Sequence, residues 1–198
     1  MAKHFRTKEQ LLARTASRQA MGPLHVTHSF DLSNAATPDR VYIGKECAVE
    51  YKHELVEIVF AQLKRGTKEL RSMVVITMPP LHVVTMLNAI KRMNSPGLLE
   101  IVRELDLKSE PLGTLETEAE QTAEMTAQIA RVSIAGQETE IDFYKMSPQA
   151  VAKHKYKADQ IQLEPQVRIE IRTTLFLGLV EALEQLSSKF PTHALLTD

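Results

Sequence analysis

The 198-residue chain has no tryptophan, a single cysteine, 5% aromatic residues and seven dispersed glycines. Each shortage excludes something. One cysteine, Cys47, permits neither an intrachain disulfide nor a multi-cysteine zinc site. No glycine-rich turn precedes a helical pattern, so there is no phosphate loop. There is no nucleophile elbow and no zinc-protease helix. No run of about 20 apolar residues occurs, so no membrane span is expected. A net charge of −1 gives no overall attraction to nucleic acid or membrane. The basic, polar N-terminus lacks the apolar core of a secretory signal. Together these features lead us to expect a cytoplasmic protein that does not engage membranes. With 43% hydrophobic and 25% charged residues the composition is that of an ordinary globular chain, whose core must rest on Val, Ile, Leu and Met.

The pattern that is present occurs twice. Glu57-Ile58-Val59-Phe60 is answered by Glu140-Ile141-Asp142-Phe143, and Val74-Val75-Ile76 by Val167-Arg168-Ile169. Val132 is placed as Val49 is, and Ala182 as Ala89. The offset is 83 residues from Ile58 to Ile141 and 93 from Ile76 to Ile169. The ten-residue difference falls in a connection between strands, where insertions are tolerated. The expected fold is α+β: a tandem duplication of a β-β-β-α unit, with antiparallel sheets packed against helices and extra N-terminal and connecting helices. A unit of about 45 residues buries too little apolar surface to stand alone. Two packed units, or one six-stranded sheet under two helices, would solve this. Exposed edge strands would then need cover, from an N-terminal strand, an acidic helix or a second subunit.

The predicted organisation is an N-terminal arm and strand over 1–40, a first unit over 41–94, an acidic helical connector over 95–126, a second unit over 127–190 and a tail over 191–198. Residues 7–20 read as a helix, and 24–31 alternate like a strand, with Leu24, Val26, His28 and Phe30 on one face. In the first unit the strands are 41–51, 56–63 and 73–78. Pro79-Pro80 stops the third and suits a helix start. Its broad apolar face holds Leu81, Val83, Val84, Met86, Leu87, Ile90 and Met93. In the second unit the strands are 127–134, 138–146 and 162–171. Thr173 or Thr174 is a candidate cap for a helix burying Leu175, Phe176, Leu179, Val180, Leu183 and Leu186. Pro96 opens a predicted helix to about Leu105, and Glu116–Ala130 has helix-forming composition. From Glu100 to Glu124 eight acids stand against Arg103 and Lys108, the pattern of a solvated connector.

The candidate contact residues lie in the loops between second and third strands. The first loop, 64–72, carries Lys64, Arg65, Lys68 and Arg71. The second, 145–157, carries Lys145, Lys153, His154, Lys155 and Lys157 around Tyr156. Cations beside an aromatic ring suit phosphate pairing and base stacking, so these loops could form one basic rim or two. The plainer reading is a solvated charged loop. Residues 1–22 hold five basic residues and one acid, a further basic patch or a frayed end. His25 and His28 point to opposite faces of a strand, so no metal site is expected. Glu57 and Glu140 recur at matching positions and could pair for acid–base work, but solvated strand glutamates fit the pattern better. Cys47 reads as a small buried strand residue.

The segment Val74-Val75-Ile76-Thr77-Met78-Pro79, leading into Leu87-Asn88-Ala89-Ile90 and preceded by Val56–Phe60, resembles a small bacterial domain family of unknown function. In that family two strands precede a third that ends in a Ser-Pro or Thr-Pro turn before a helix. The resemblance implies the strand-strand-strand-helix order and brings no activity. The second unit departs from it, with Arg172-Thr173 where a proline would stand.

The functional expectation is a non-enzymatic binding or assembly module acting through protein contacts, with a protein partner or as a homo-oligomer, and needing no cofactor. Met73, Met78, Met86 and Met93 offer an adaptable surface in that reading, although core packing accounts for them better. The alternative is a nucleic-acid-binding protein using the paired basic loops. An enzyme without a recognisable motif is the third reading.

Overall fold

A computed structural model describes residues 32, 35–63, 66, 70–93, 105–113, 122–146 and 163–195. The order is β1 (Val41–Ile43), β2 (Glu46–Lys52), β3 (Leu55–Leu63), β4 (Leu70–Met78), α1 (Pro80–Met93), β5 (Thr122–Thr126), β6 (Ile129–Ala135), β7 (Glu138–Met146), β8 (Leu163–Arg172), α2 (Thr173–Ser187) and a 3-10 turn (Thr192–Leu195). The α+β class is as expected. The expected helix at 7–20, the strand at 24–31 and the helix from Pro96 to about Leu105 lie outside the described residues, except for Leu105 itself, which is a turn residue.

Two four-stranded sheets form, in the orders β2-β3-β4-β5 and β1-β8-β7-β6. Three strands of each make an antiparallel meander, and the fourth is parallel to its neighbour. The sheets are therefore mixed, which corrects the antiparallel expectation. The reason lies in the two segments predicted as single strands, 41–51 and 127–134. The first is broken at Gly44-Lys45, and its short β1 pairs with β8 instead of continuing into the sheet of β2. The second begins beyond a break at Ala127-Gln128, after β5, which pairs with β4. The helical reading of 116–130 fails at the same place, because 122–126 is strand. Tertiary pairing overrides local propensity there.

At each break consecutive amides serve different sheets. Gly44 N–H donates to Glu170 O (2.9 Å) and Lys45 N–H to Ala61 O (2.8 Å). Ala127 N–H donates to Thr77 O (2.9 Å) and Gln128 N–H to Tyr144 O (3.0 Å). The registers agree with the sequence offsets. Val49–Ile58–Ile76–Met125 form one row of the first sheet. Val132–Ile141–Ile169–Tyr42 form the corresponding row of the second.

Apolar alternation turns Cys47, Val56, Ile58, Phe60, Val74, Ile76 and Met78 inward from one sheet, and Ile141, Phe143, Val167, Ile169 and Ile171 from the other, into a single core. Phe60 and Phe143, which occupy matching positions, meet there with ring centroids 6.1 Å apart. Val83, Val84, Met86, Leu87 and Ile90 of α1 and Leu175, Phe176, Leu179 and Leu183 of α2 complete it, and every one was predicted. The helices also exchange: α2 packs on β2 and α1 on β6. Each sheet and its cover thus draw on both halves of the chain. The two-residue turns at His53-Glu54 and Gly136-Gln137 fall where expected, and the positive φ of Gly136 (64°) explains its glycine. Among the described residues no helix is long and apolar enough to cross a membrane.

Candidate functional site

The densest polar arrangement among the described residues lies on the outer face of the second sheet. Arg131 of β6, Asp142 of β7 and Arg168 of β8 stand in one register row. In a strand, successive side chains alternate between faces, so all three point away from Ile141 and Phe143. Asp142 is only 2% exposed. Its Oδ1 accepts from Arg168 Nε (2.7 Å), and its Oδ2 from Arg131 Nη2 (2.6 Å) and Nε (3.2 Å) and Arg168 Nη2 (3.0 Å). The buried Tyr144 hydroxyl donates to Oδ2 from 3.4 Å, and Arg131 lies 5.8 Å from the centre of that ring. The arginines are themselves engaged: Arg168 Nη1 pairs with Glu140 at 2.9 Å, and Arg131 Nη1 donates to Leu32 O at 3.5 Å.

The electrostatics follow from this geometry. Burial alone would raise the Asp142 carboxyl, but the hydrogen bonds from Arg168 and Arg131 outweigh it and hold the carboxyl below its ordinary value. Burial, then the Asp142 charge, push the Tyr144 phenol up. The hydrogen bond to Asp142 raises Arg168 further. The carboxylate's acceptor sites are consumed and it carries no proton at neutral pH. It can serve neither as a general acid nor as an accessible base. The group clamps three strands together.

A second polar cluster anchors the connector. Glu110 N–H donates to Thr174 O (2.9 Å), its Oε1 pairs with Arg172 (2.8 Å), and its Oε2 accepts from Thr174 Oγ1 (3.2 Å). Neither threonine caps α2 as expected. Thr173 is the first helical residue, and its hydroxyl donates to Gly136 O at 2.8 Å while accepting from buried Thr139 at 3.1 Å. Glu110 supplies the negative charge at the helix start. The described part of the connector is therefore docked on the fold, which corrects its reading as simply solvated. Close approach requires Gly178, because a Cβ there would fall inside the van der Waals shell of the Glu110 carbonyl oxygen.

Of the expected contact residues, Lys64, Arg65, Lys68, Lys153, Lys155, Tyr156 and Lys157 lie outside the described residues. Arg71 belongs to β4, and only its backbone is described. The stems of the two loops can be placed. Leu63 and Leu70 lie at the end of the first sheet beside the Gly44-Lys45 crossing. Met146 lies beside the other crossing, where its N–H donates to Gln128 Oε1 (2.9 Å). That crossing adjoins Thr77, seven residues along β4 from Leu70, or roughly 23 Å at the rise of a strand. The stems leave from opposite ends.

Glu57 and Glu140 both lie on outer faces, one on each sheet, and Glu140 is held by Arg168. Cys47 is fully buried in β2, and burial pushes its thiol far up, so it remains protonated. Among the described residues no group of three His, Cys, Asp or Glu could hold a metal ion. The Asp142 cluster itself escaped sequence reasoning. Its signal was present: Asp142 replaces Val59 and Arg168 replaces Val75 within the matched segments.

Comparison of the chain with protein-family models, with curated proteins and with solved structures finds no match. The resemblance of the first unit therefore rests on its residues alone.

Proposed function

We propose that the protein is a non-enzymatic binding or assembly module that acts through protein contacts. The observation that carries this reading is the edge strand β1. Val41 is 55% exposed and Ile43 46%, side by side on a sheet edge that no described strand covers. The corresponding positions on the other parallel edge, 83 residues on, are Glu124 and Thr126. Charged and polar residues are a common protection of a sheet edge against pairing. The exposed apolar pair in their place on β1 supports reading this edge as a contact surface. The consumed hydrogen-bonding capacity of the Asp142 cluster also supports a structural role for that group. A buried free cysteine accords with a reducing compartment such as the cytoplasm. Descent of the halves from a tandem duplication is part of the proposal, supported by the row-for-row agreement of offsets and registers.

The competing reading is nucleic-acid binding through loops 64–72 and 145–157. Size-exclusion chromatography with light scattering, with and without a short single-stranded oligonucleotide, separates the two. A multimer, or a complex with a protein partner, that ignores the oligonucleotide supports the assembly reading. A salt-dependent shift that Lys155→Glu with Lys157→Glu abolishes would replace it with the nucleic-acid reading.

A further inference from the structure

We infer that residues 114–121 of the connector dock on the outer face of the first sheet, crossing from β2 to β5 over Ala61 and Met73. The inference goes beyond the assembly reading and does not depend on it. Residues 114–121 lie outside the described residues, and the observations that place them stand on either side. A Cβ on Gly113 would lie 3.8 Å from Glu46 Oε2, so the connector reaches β2. The chain resumes at Thr122, the first residue of β5. Glu46, Ala61, Met73 and Thr122 form one register row across the first sheet. From β2 to β5 is three strand spacings, about 14 Å. The nine steps from Gly113 to Thr122 can span up to about 30 Å, so the length suffices. The two middle members of the row are buried: Ala61 is 0% exposed and Met73 4%. Neither belongs to the core cluster, whereas their chain neighbours Phe60 and Val74 do, so both point away from the core. Apolar side chains on that face are buried only by something lying on it.

The second sheet shows the matching arrangement. Ile129 and Tyr144 pair in the row that corresponds to Glu46 and Ala61, and they too are buried apart from the core cluster. There the chain ahead of the parallel edge strand is described at both ends. Leu32 O accepts from Arg131 Nη1 of β6, and Arg40 O accepts from Arg168 N–H of β8. The chain thus passes over the outer face from β6 to β1, with Pro38 buried. The offset of 83 residues sets Leu115 at the place of Leu32 and Ala119 at that of Ala36. Charge does not drive the contact in the first sheet. The segment carries Glu116, Glu118 and Glu120, and the face carries Glu46, Glu50, Glu57 and Glu124. Repulsion between exposed charges is screened beyond about 8 Å at physiological ionic strength. Leu115 and Ala119 against Val59, Ala61 and Met73 supply the attraction, so salt strengthens the docking. The basic arm 1–22, the other candidate occupant, would be held by charge and released by salt. Occupied by the connector, this face is closed to a second copy.

The test sets a reporter thiol under the segment in the full chain, with circular dichroism to check folding. Native Cys47 is fully buried and stays silent. Met73→Cys should react with a thiol reagent far more slowly than Ser133→Cys, an exposed position on the second sheet. Adding Leu115→Ser should speed the Met73→Cys reaction at least about tenfold, as loss of a buried leucine contact requires. Raising the salt concentration should slow it. Val59→Cys, half-buried in the next row of that face, is the reporter if Met73→Cys does not fold. Mild oxidation of Met73→Cys paired with Leu115→Cys, Thr117→Cys or Ala119→Cys in turn should give an intrachain disulfide with at least one of them, and none with Leu12→Cys. A fast-reacting Met73→Cys, indifference to Leu115→Ser or a disulfide to Leu12→Cys overturns the docking and leaves the assembly reading standing. A disulfide between two chains overturns it as well and assigns the face to assembly.

Discussion

The two sheets share one order of elements and one register, yet their outer faces differ in kind. Where the second carries Arg131–Asp142–Arg168, the first carries Ala48–Val59–Val75. Around that row the first sheet buries Ala61 and Met73 and satisfies Thr77 locally, its hydroxyl donating to Met125 O at 3.3 Å. The same backbone positions therefore accept either an apolar row or a fully paired ionic one. The difference teaches that the core-facing residues set the register, while the outer row is free to diverge. It also separates a structural cost from a structural gain. Removing one member of a buried ionic group leaves an unpaired charge, whereas exchanging the whole group for apolar residues does not.

The largest expected effect breaks this comparison at its centre. Asp142→Ala strands two arginines and should destabilise by about 3–5 kcal/mol. Val59→Ala at the matching position of the first sheet should cost about 1 kcal/mol, since Val59 is only half-buried. Urea denaturation of both variants measures the contrast, and equal losses would refute it.

Arg131→Ala, Asp142→Val and Arg168→Val together give the second sheet the row of the first. The triple variant should be neutral or up to about 4 kcal/mol more stable than the wild type. It should also change the response to acid. Asp142 has a folded-state pKa below its unfolded one, so its contribution is complete above the unfolded value of about 3.9 and is lost as pH falls through the folded value. The triple variant lacks that loss, so its acid-unfolding midpoint should lie lower. A midpoint identical to wild type would show that the cluster does not govern acid stability.

The helices extend the comparison. Gly178→Ala should destabilise by about 1–3 kcal/mol, because the Glu110 segment must move off α2. The matching residue of α1, 93 positions earlier, is Thr85, half-buried and bonded to Leu81 O at 2.9 Å. Thr85→Ala should stay within about 0.5 kcal/mol. Thermal melts of the two variants provide the check, with loss of the Arg172–Glu110 pair expected only in Gly178→Ala.

The smallest effect concerns the turn into α2. Thr139→Val removes the hydroxyl that donates to Thr173, and Thr173 keeps its bond to Gly136 O. The loss should be about 0.5–1.5 kcal/mol. The matching position in the first sheet already holds an apolar residue, Val56, and functions without such a bond. Hydrogen exchange at the Gly136 turn would report the local loosening.

Much of the fold was legible in the sequence. Strand-forming runs bounded by turns located β3, β7 and β8 to within a residue or two, and the buried faces of both helices followed from their apolar spacing. Pro79-Pro80 marked the start of α1 because proline fits a first turn and nowhere later in a helix. The sheets were less legible. Gly44-Lys45 and Ala127-Gln128 lie inside runs of strand-forming residues, and nothing local says that the strand on one side will join a different sheet. The candidate site was legible only in part. The mismatches Val59/Asp142 and Val75/Arg168 were in view, but their meaning depended on pairing β7 with both β6 and β8. The basic loops drew attention through charge alone, and the structure separates their stems to opposite ends.

The sequence by itself determined the class, the last two strands and the helix of each half, the helix faces and the offsets between the halves. These follow from period and from local backbone chemistry, which act over a few residues. Only the tertiary structure decided that β1 and β5 change places and that the connector docks across α2 at Gly178. It also decided that three separated charges become one clamp. Each of these depends on groups distant in the chain meeting at a particular register, and a register is fixed by packing both sheets on one core rather than by any segment alone.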